Sequence, residues 1–119
     1  MQTVLEKIAS FAVHTDFDQI PADVAAVAKL GLTDFFACSL AGINAPVSKN
    51  ILNYLNIQGL KEGPCRLFGT SHSAGLKEAA LFNGVSSHCM DFDDVSWATI
   101  GHPSVSVAPS VFACAQKGK

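Results

Sequence analysis

The stretch VAAVAKLGLTDFFACSLA, residues 24–41, decides what kind of fold this is. It contains no proline and is long enough for about five helical turns. Its only charges are Lys29 and Asp34. Apolar side chains fall on nearly every face rather than along one stripe, as in a helix buried on most sides. Pro21 suits the first helical turn, and Asp23 complements the positive helix N-terminus. Gly42 suits the left-handed position just past the end.

Working outward, Thr3 to Val13 reads as a helix with Val4, Ile8, Phe11 and Ala12 on one face. The polar HTDFDQ then forms a loop. On the other side, Ser48 to Ile57 reads as a shorter amphipathic helix with Ile51, Leu52 and Leu55 inward. KEGPCRLFGT is too rich in Gly and Pro for helix, and its CRLF suits a short extended piece. Ser73 is placed to cap a helix running to Phe82, with Asn83-Gly84 as its stop. A short helix from Val85 to about Phe92 follows. The last helix spans Ser104 to Ala115, interrupted or kinked near Pro109. The fold class is therefore all-α, one domain over residues 1–119. Two helices, 21–41 and 104–115, are too apolar for a free-standing domain, and AQKGK ends the chain as its last helix ends. The expectation is a portion of a larger fold or an obligate oligomer.

Composition agrees. Hydrophobic residues make up 49% of the chain and charged residues 15%, against about 25% charged in ordinary soluble domains. The net charge is -2 without a basic cluster, so the counterion-replacing face that nucleic acid needs is missing. No apolar run of about 20 residues marks a membrane span, and MQTVLEKIASFAVHTDFD lacks the basic start and apolar core of a signal peptide. Cys38, Cys65, Cys89 and Cys114 form no CxxC pair. They read as free thiols in a reducing, cytoplasmic compartment.

Against this nearly uncharged background, HCMDFDDVSWATIGHPS, residues 88–104, gathers Asp91, Asp93 and Asp94 between His88 and His102. If residues 85–92 are helical, His88 and Asp91 share a face. Ser104 is then placed to cap the last helix, whose free N–H groups beside His102 would suit an anionic ligand. Three readings compete. The aspartates cap helix ends while the histidines satisfy buried hydrogen bonds. A metal takes His and Asp ligands, although neither HExxH nor EF-hand spacing is present. Or a carboxylate and a histidine work as acid and base, helped by like charges that raise one carboxylate's pKa.

The segment AALFNGVSSHCMDFDDVSWATIGHPSVSVAPSVFACA resembles the signature region of the MmgE/PrpD family, which includes 2-methylcitrate dehydratase and cis-aconitate decarboxylase. The pattern is an Ala-rich helix, NG, a small-residue turn with His, DFDD, and HPS leading into an apolar helix. LGLTDFFACSLAG and GTSHSAGLKEAALFNG fit the family's approach to it. The resemblance runs from about residue 3 to 117. It implies the first portion of a large helical domain, without the separate α+β lid domain of longer members. By motif position it implies catalytic roles for Asp91 and His102, flanked in substrate binding by His88, Asp94, Ser96 and Ser104. Val95 stands where the family usually has Thr, with Ser96 next to it, and the loop to His102 is about one residue longer than in close relatives. Further family His and Lys residues come from later sequence. The implied activity is a lyase acting on a di- or tricarboxylate, with 2-methylcitrate dehydration first and decarboxylation, epimerisation or a non-catalytic fragment as alternatives. Homodimers without metal or organic cofactor are the family habit.

Overall fold

In the computed structural model, which describes residues 2–118, Thr3 opens the first helix, α1 (Val4–His14). Its hydroxyl accepts the Glu6 N–H, and the Glu6 carboxylate accepts the Thr3 N–H at 2.7 Å. These bonds satisfy backbone donors that a helix start leaves bare. No residue of α1 is buried; Val4, Ile8 and Phe11 are all exposed. A short 3-10 turn, Phe17–Gln19, leads to the long helix α2 (Ala22–Gly42). The chain divides into two compact units, one up to Leu30 and one beginning at Gly31.

α2 departs from the expectation of burial on most sides. Its buried residues are Phe35, Cys38, Ser39 and Gly42, whereas Val24, Val27 and Leu30 are exposed. With 21 residues it is also long and apolar enough to cross a membrane, judged by length and composition alone. This differs from the expectation that the chain holds no apolar run of spanning length. The same criteria are met by core helices, and the C-terminal half of α2 is one. Gly42 is the last helical residue rather than a left-handed cap. A Cβ there would sit 1.9 Å from the Ser86 carbonyl oxygen and 2.6 Å from Cys89 Sγ. Close approach, not backbone conformation, demands glycine here.

The unit from Gly31 onward also contains α3 (Pro46–Ile57), β1 (Cys65–Arg66), β2 (Ser73–Ala74), α4 (Leu76–His88) and α5 (Pro103–Lys117). Pro46 starts α3 two residues earlier than expected, in the first-turn position where its missing N–H costs nothing. Cys65 pairs with Ala74 and Arg66 with Ser73 in an antiparallel ribbon. Ser73 is thus a strand residue, and Gly75 precedes the helix instead.

Asn83-Gly84 does not stop α4, which runs on to His88; there is no separate helix to Phe92. The reason lies in tertiary contacts. The Asn83 side chain accepts the Phe68 N–H at 2.8 Å and donates to the Arg66 carbonyl at 3.0 Å, while 1% exposed. At Gly84 a Cβ would meet the Pro109 ring at 3.7 Å, an ordinary contact, so the packing there does not itself demand glycine. α5 continues through Pro109 without interruption.

Two groups of apolar side chains fill this unit. Leu55, Cys65, Leu67, Ala74, Ala79, Phe82 and Ala113 form one buried cluster, flanked by Ile51 and Leu52. Phe35, Phe36, Phe68 and Phe112 form the other, with centroids 5.0–6.2 Å apart. Aromatic pairs at this spacing add about 0.5–1.5 kcal/mol each beyond burial. They tie α2 and α5 to the loop after β1. The structure is helical apart from the small ribbon, as an N-terminal portion of an all-α domain requires.

Candidate active site

α4 ends at His88, and the chain turns through an Asp91 N–H to His88 carbonyl bond of 2.9 Å. Asp91 lies outside the helix with φ 54°, so it does not share a helical face with His88 as expected. Aspartate tolerates this left-handed region better than most residues. Its side chain is 80% exposed.

The next two carboxylates are fixed. Asp93 is buried, with Oδ1 3.0 Å from His88 Nδ1 and Oδ2 3.2 Å from His102 Nδ1. Asp94 turns the other way. Its Oδ1 accepts the Ser104 N–H at 3.1 Å and its Oδ2 the Ser104 hydroxyl at 2.6 Å. Its own N–H donates to Asp34 Oδ2 in α2 at 3.0 Å. Here the structure corrects two expectations about α5. His102 is the residue flanking its start, Pro103 occupies the first turn, and Ser104 lies inside the helix without capping it. The N-terminus foreseen as free for an anionic ligand already holds the Asp94 carboxylate, a charge suited to the positive helix end.

His102 is a quarter exposed; its Nε2 lies 3.6 Å from Asp91 Oδ1. The His88 and His102 rings meet edge-on with centroids 4.6 Å apart. Asp91, Asp93, His88 and His102 thus form one cluster. Asp94 and Ser104 brace it from the α5 side. Ser96 is bridged by backbone hydrogen bonds to Gly101, 2.9 Å in one direction and 3.4 Å in the other. The bridge closes a loop tipped by the exposed Trp97 and Ile100. Val95, at the position of the family threonine, is exposed.

One ligand atom from each of His88, Asp91, Asp93 and His102 lies within 4.8 Å of the others. By donor type the four could hold a divalent metal, with the Nδ1 atoms already engaged by Asp93. The negative charge here is felt by a neighbour. Burial, then the nearby Asp34 carboxylate and the charge of Asp93, push the Cys38 thiol above its ordinary pKa. A cleft of about 550 Å³ near Tyr54, Lys61 and Glu78 shares no residue with the cluster.

Asp93 is the residue that sequence reasoning passed over. The signal was its place in DFDD, but spacing alone does not tell which of three carboxylates turns inward.

The model of the MmgE/PrpD N-terminal domain matches residues 6–119. Cis-aconitate decarboxylase-like protein oryM of Aspergillus oryzae (strain ATCC 42149 / RIB 40) is 29% identical over 113 residues, covering 95% of this chain. A cis-aconitate decarboxylase of Aspergillus terreus is 28% identical over the same length and coverage. The chain spans 23% of the length of each of these relatives.

Proposed function

The chain belongs to the MmgE/PrpD family, and from that premise we propose that it contributes part of the active site of a lyase acting on a di- or tricarboxylate. The observation that carries this reading is the Asp91–His102 pair, 3.6 Å apart at the open edge of the cluster. For dehydration one member takes a proton from the carbon next to a carboxylate and the other supplies a proton. For decarboxylation no carbon-bound proton is removed, and only the proton donor is needed. His88 and Ser96 flank the substrate. In dehydration the supplied proton leaves with the β-hydroxyl as water. In decarboxylation carbon dioxide departs first, and the carbanion left behind takes the proton. General acid–base assistance of this kind contributes about 10²–10⁴ in rate.

Dehydration of 2-methylcitrate and decarboxylation of cis-aconitate both fit that chemistry. The names of the relatives favour the second. The reading includes a cytoplasmic homodimer that works without metal or organic cofactor.

The test is turnover by the polypeptide that carries this chain, offered each acid in turn. Asp91→Asn and His102→Ala should each lower kcat by about 10²–10⁴-fold with circular dichroism unchanged. Full activity in both folded variants, or no turnover of either acid, would overturn the reading.

A further inference from the structure

Asp93 is a buried carboxylate. The carboxylate is hydrogen-bonded to His88 Nδ1 at 3.0 and 3.1 Å, and its Oδ2 lies 3.2 Å from His102 Nδ1. The Asp93 main-chain oxygen also faces His102 Nδ1, at 3.3 Å. A carboxylate and a carbonyl only accept hydrogen bonds, so each facing nitrogen must be the donor. In a neutral imidazole one nitrogen carries the hydrogen, and the other keeps its lone pair.

We propose that Asp93 is the positioning residue of this cluster: its buried carboxylate on His88, and its carboxylate edge and main-chain oxygen on His102, hold both rings as Nδ1–H tautomers, leaving both Nε2 lone pairs for chemistry. On His102 that lone pair lies on the side of Asp91. A neutral His102 is then a base at Nε2, and a protonated one is an acid at the same atom. Had Nε2 carried the hydrogen in the neutral ring, His102 could not take a proton there. His88 is held the same way. Its side chain is about half exposed, so the cluster presents two pre-set bases, one open to solvent and one beside Asp91. Asp93 itself never needs to touch the substrate. The catalytic half of this inference rests on the lyase reading; the tautomer half does not.

Two measurements test it. The first is long-range proton–nitrogen correlation on protein labelled with nitrogen-15 histidine. It is run at about pH 8, above the ordinary imidazole range, and assigned with single histidine substitutions. His88 and His102 should both show a protonated Nδ1 and a bare Nε2. In Asp93→Asn the side chain offers one oxygen and one amide group. Only one imidazole can still donate to the side chain, and His102 keeps just the main-chain oxygen at 3.3 Å as its second acceptor, so the Nε2–H tautomer should gain population at one of the two rings. The second is kinetics in the polypeptide that carries this chain. Asp93→Asn should lower kcat by about 10²-fold or more, as a wrong tautomer does in a hydrolase triad, with KM changed less. Asp93→Glu, which keeps the acceptor, should recover part of the rate.

An Nε2–H tautomer at either histidine of the unmodified protein would overturn the proposal. So would unchanged tautomers, or an unchanged kcat, in folded Asp93→Asn. Failure of the lyase reading is separable: the unmodified protein would turn over neither acid while its histidine spectrum remained as described.

Discussion

Cys38 senses the acid cluster from outside it. Its Sγ lies 3.8 Å from Asp34 Oδ2, and burial together with that carboxylate raises its pKa from 9.0. Folded protein therefore keeps the thiol proton at pH values where the unfolded chain loses it. The resulting stability is complete below the unfolded thiol pKa and is lost as pH rises toward the folded one. Denaturation titrations should show stability falling above about pH 9, less so in Cys38→Ala. Alkylation should reach the exposed Cys114 before the buried Cys38. Single residues were unevenly legible in the sequence. That Asp91, Asp94, His88 and His102 stand out needs only composition and motif. That Asp93 turns inward while Asp91 adopts φ 54° depends on contacts with α5, which no local rule supplies.

At the scale of elements, Asn83 shows why local punctuation misleads. Asn-Gly favours a helix end when the Asn side chain has nothing better to bond. Here Arg66 and Phe68, many residues away in sequence, offer one backbone acceptor and one donor. Asn83→Ala would leave both part-buried groups without their protein partner, at up to about 1–3 kcal/mol each. Urea denaturation should report a loss on the order of 2–4 kcal/mol. Asn83→Asp, which can still accept from Phe68 but cannot donate to Arg66, should destabilise too. The existence of the helices was legible from apolar periodicity and proline placement. Their ends were not, at Gly42, Ser73, Asn83 and Ser104, because in each case a partner from another element decides. The ribbon was half legible: CRLF signalled β1, while Ser73 looked like a cap.

For the whole molecule, the excess of apolar residues was the plainest message of the composition, and the structure shows where it goes. From Gly31 onward much of it packs into the Leu55–Phe82 cluster and the four phenylalanines. In the unit up to Leu30 it remains on the surface of α1 and early α2. Local opening free energy follows such differences in burial. Hydrogen exchange should be fast in residues 4–14 and at least about 10²-fold slower in the middle of α4. Equal protection in both would contradict the burial pattern. The Ser96–Gly101 bridge has a separate consequence. It acts as a neck: whatever happens in the tip between 97 and 100, the two strands of chain leave it at a fixed spacing toward Asp94 and His102. Insertions and substitutions in the tip are thereby decoupled from the geometry of the histidine–aspartate cluster. The protein can vary what it shows to an approaching molecule while leaving Asp93, Asp94 and His102 where they stand.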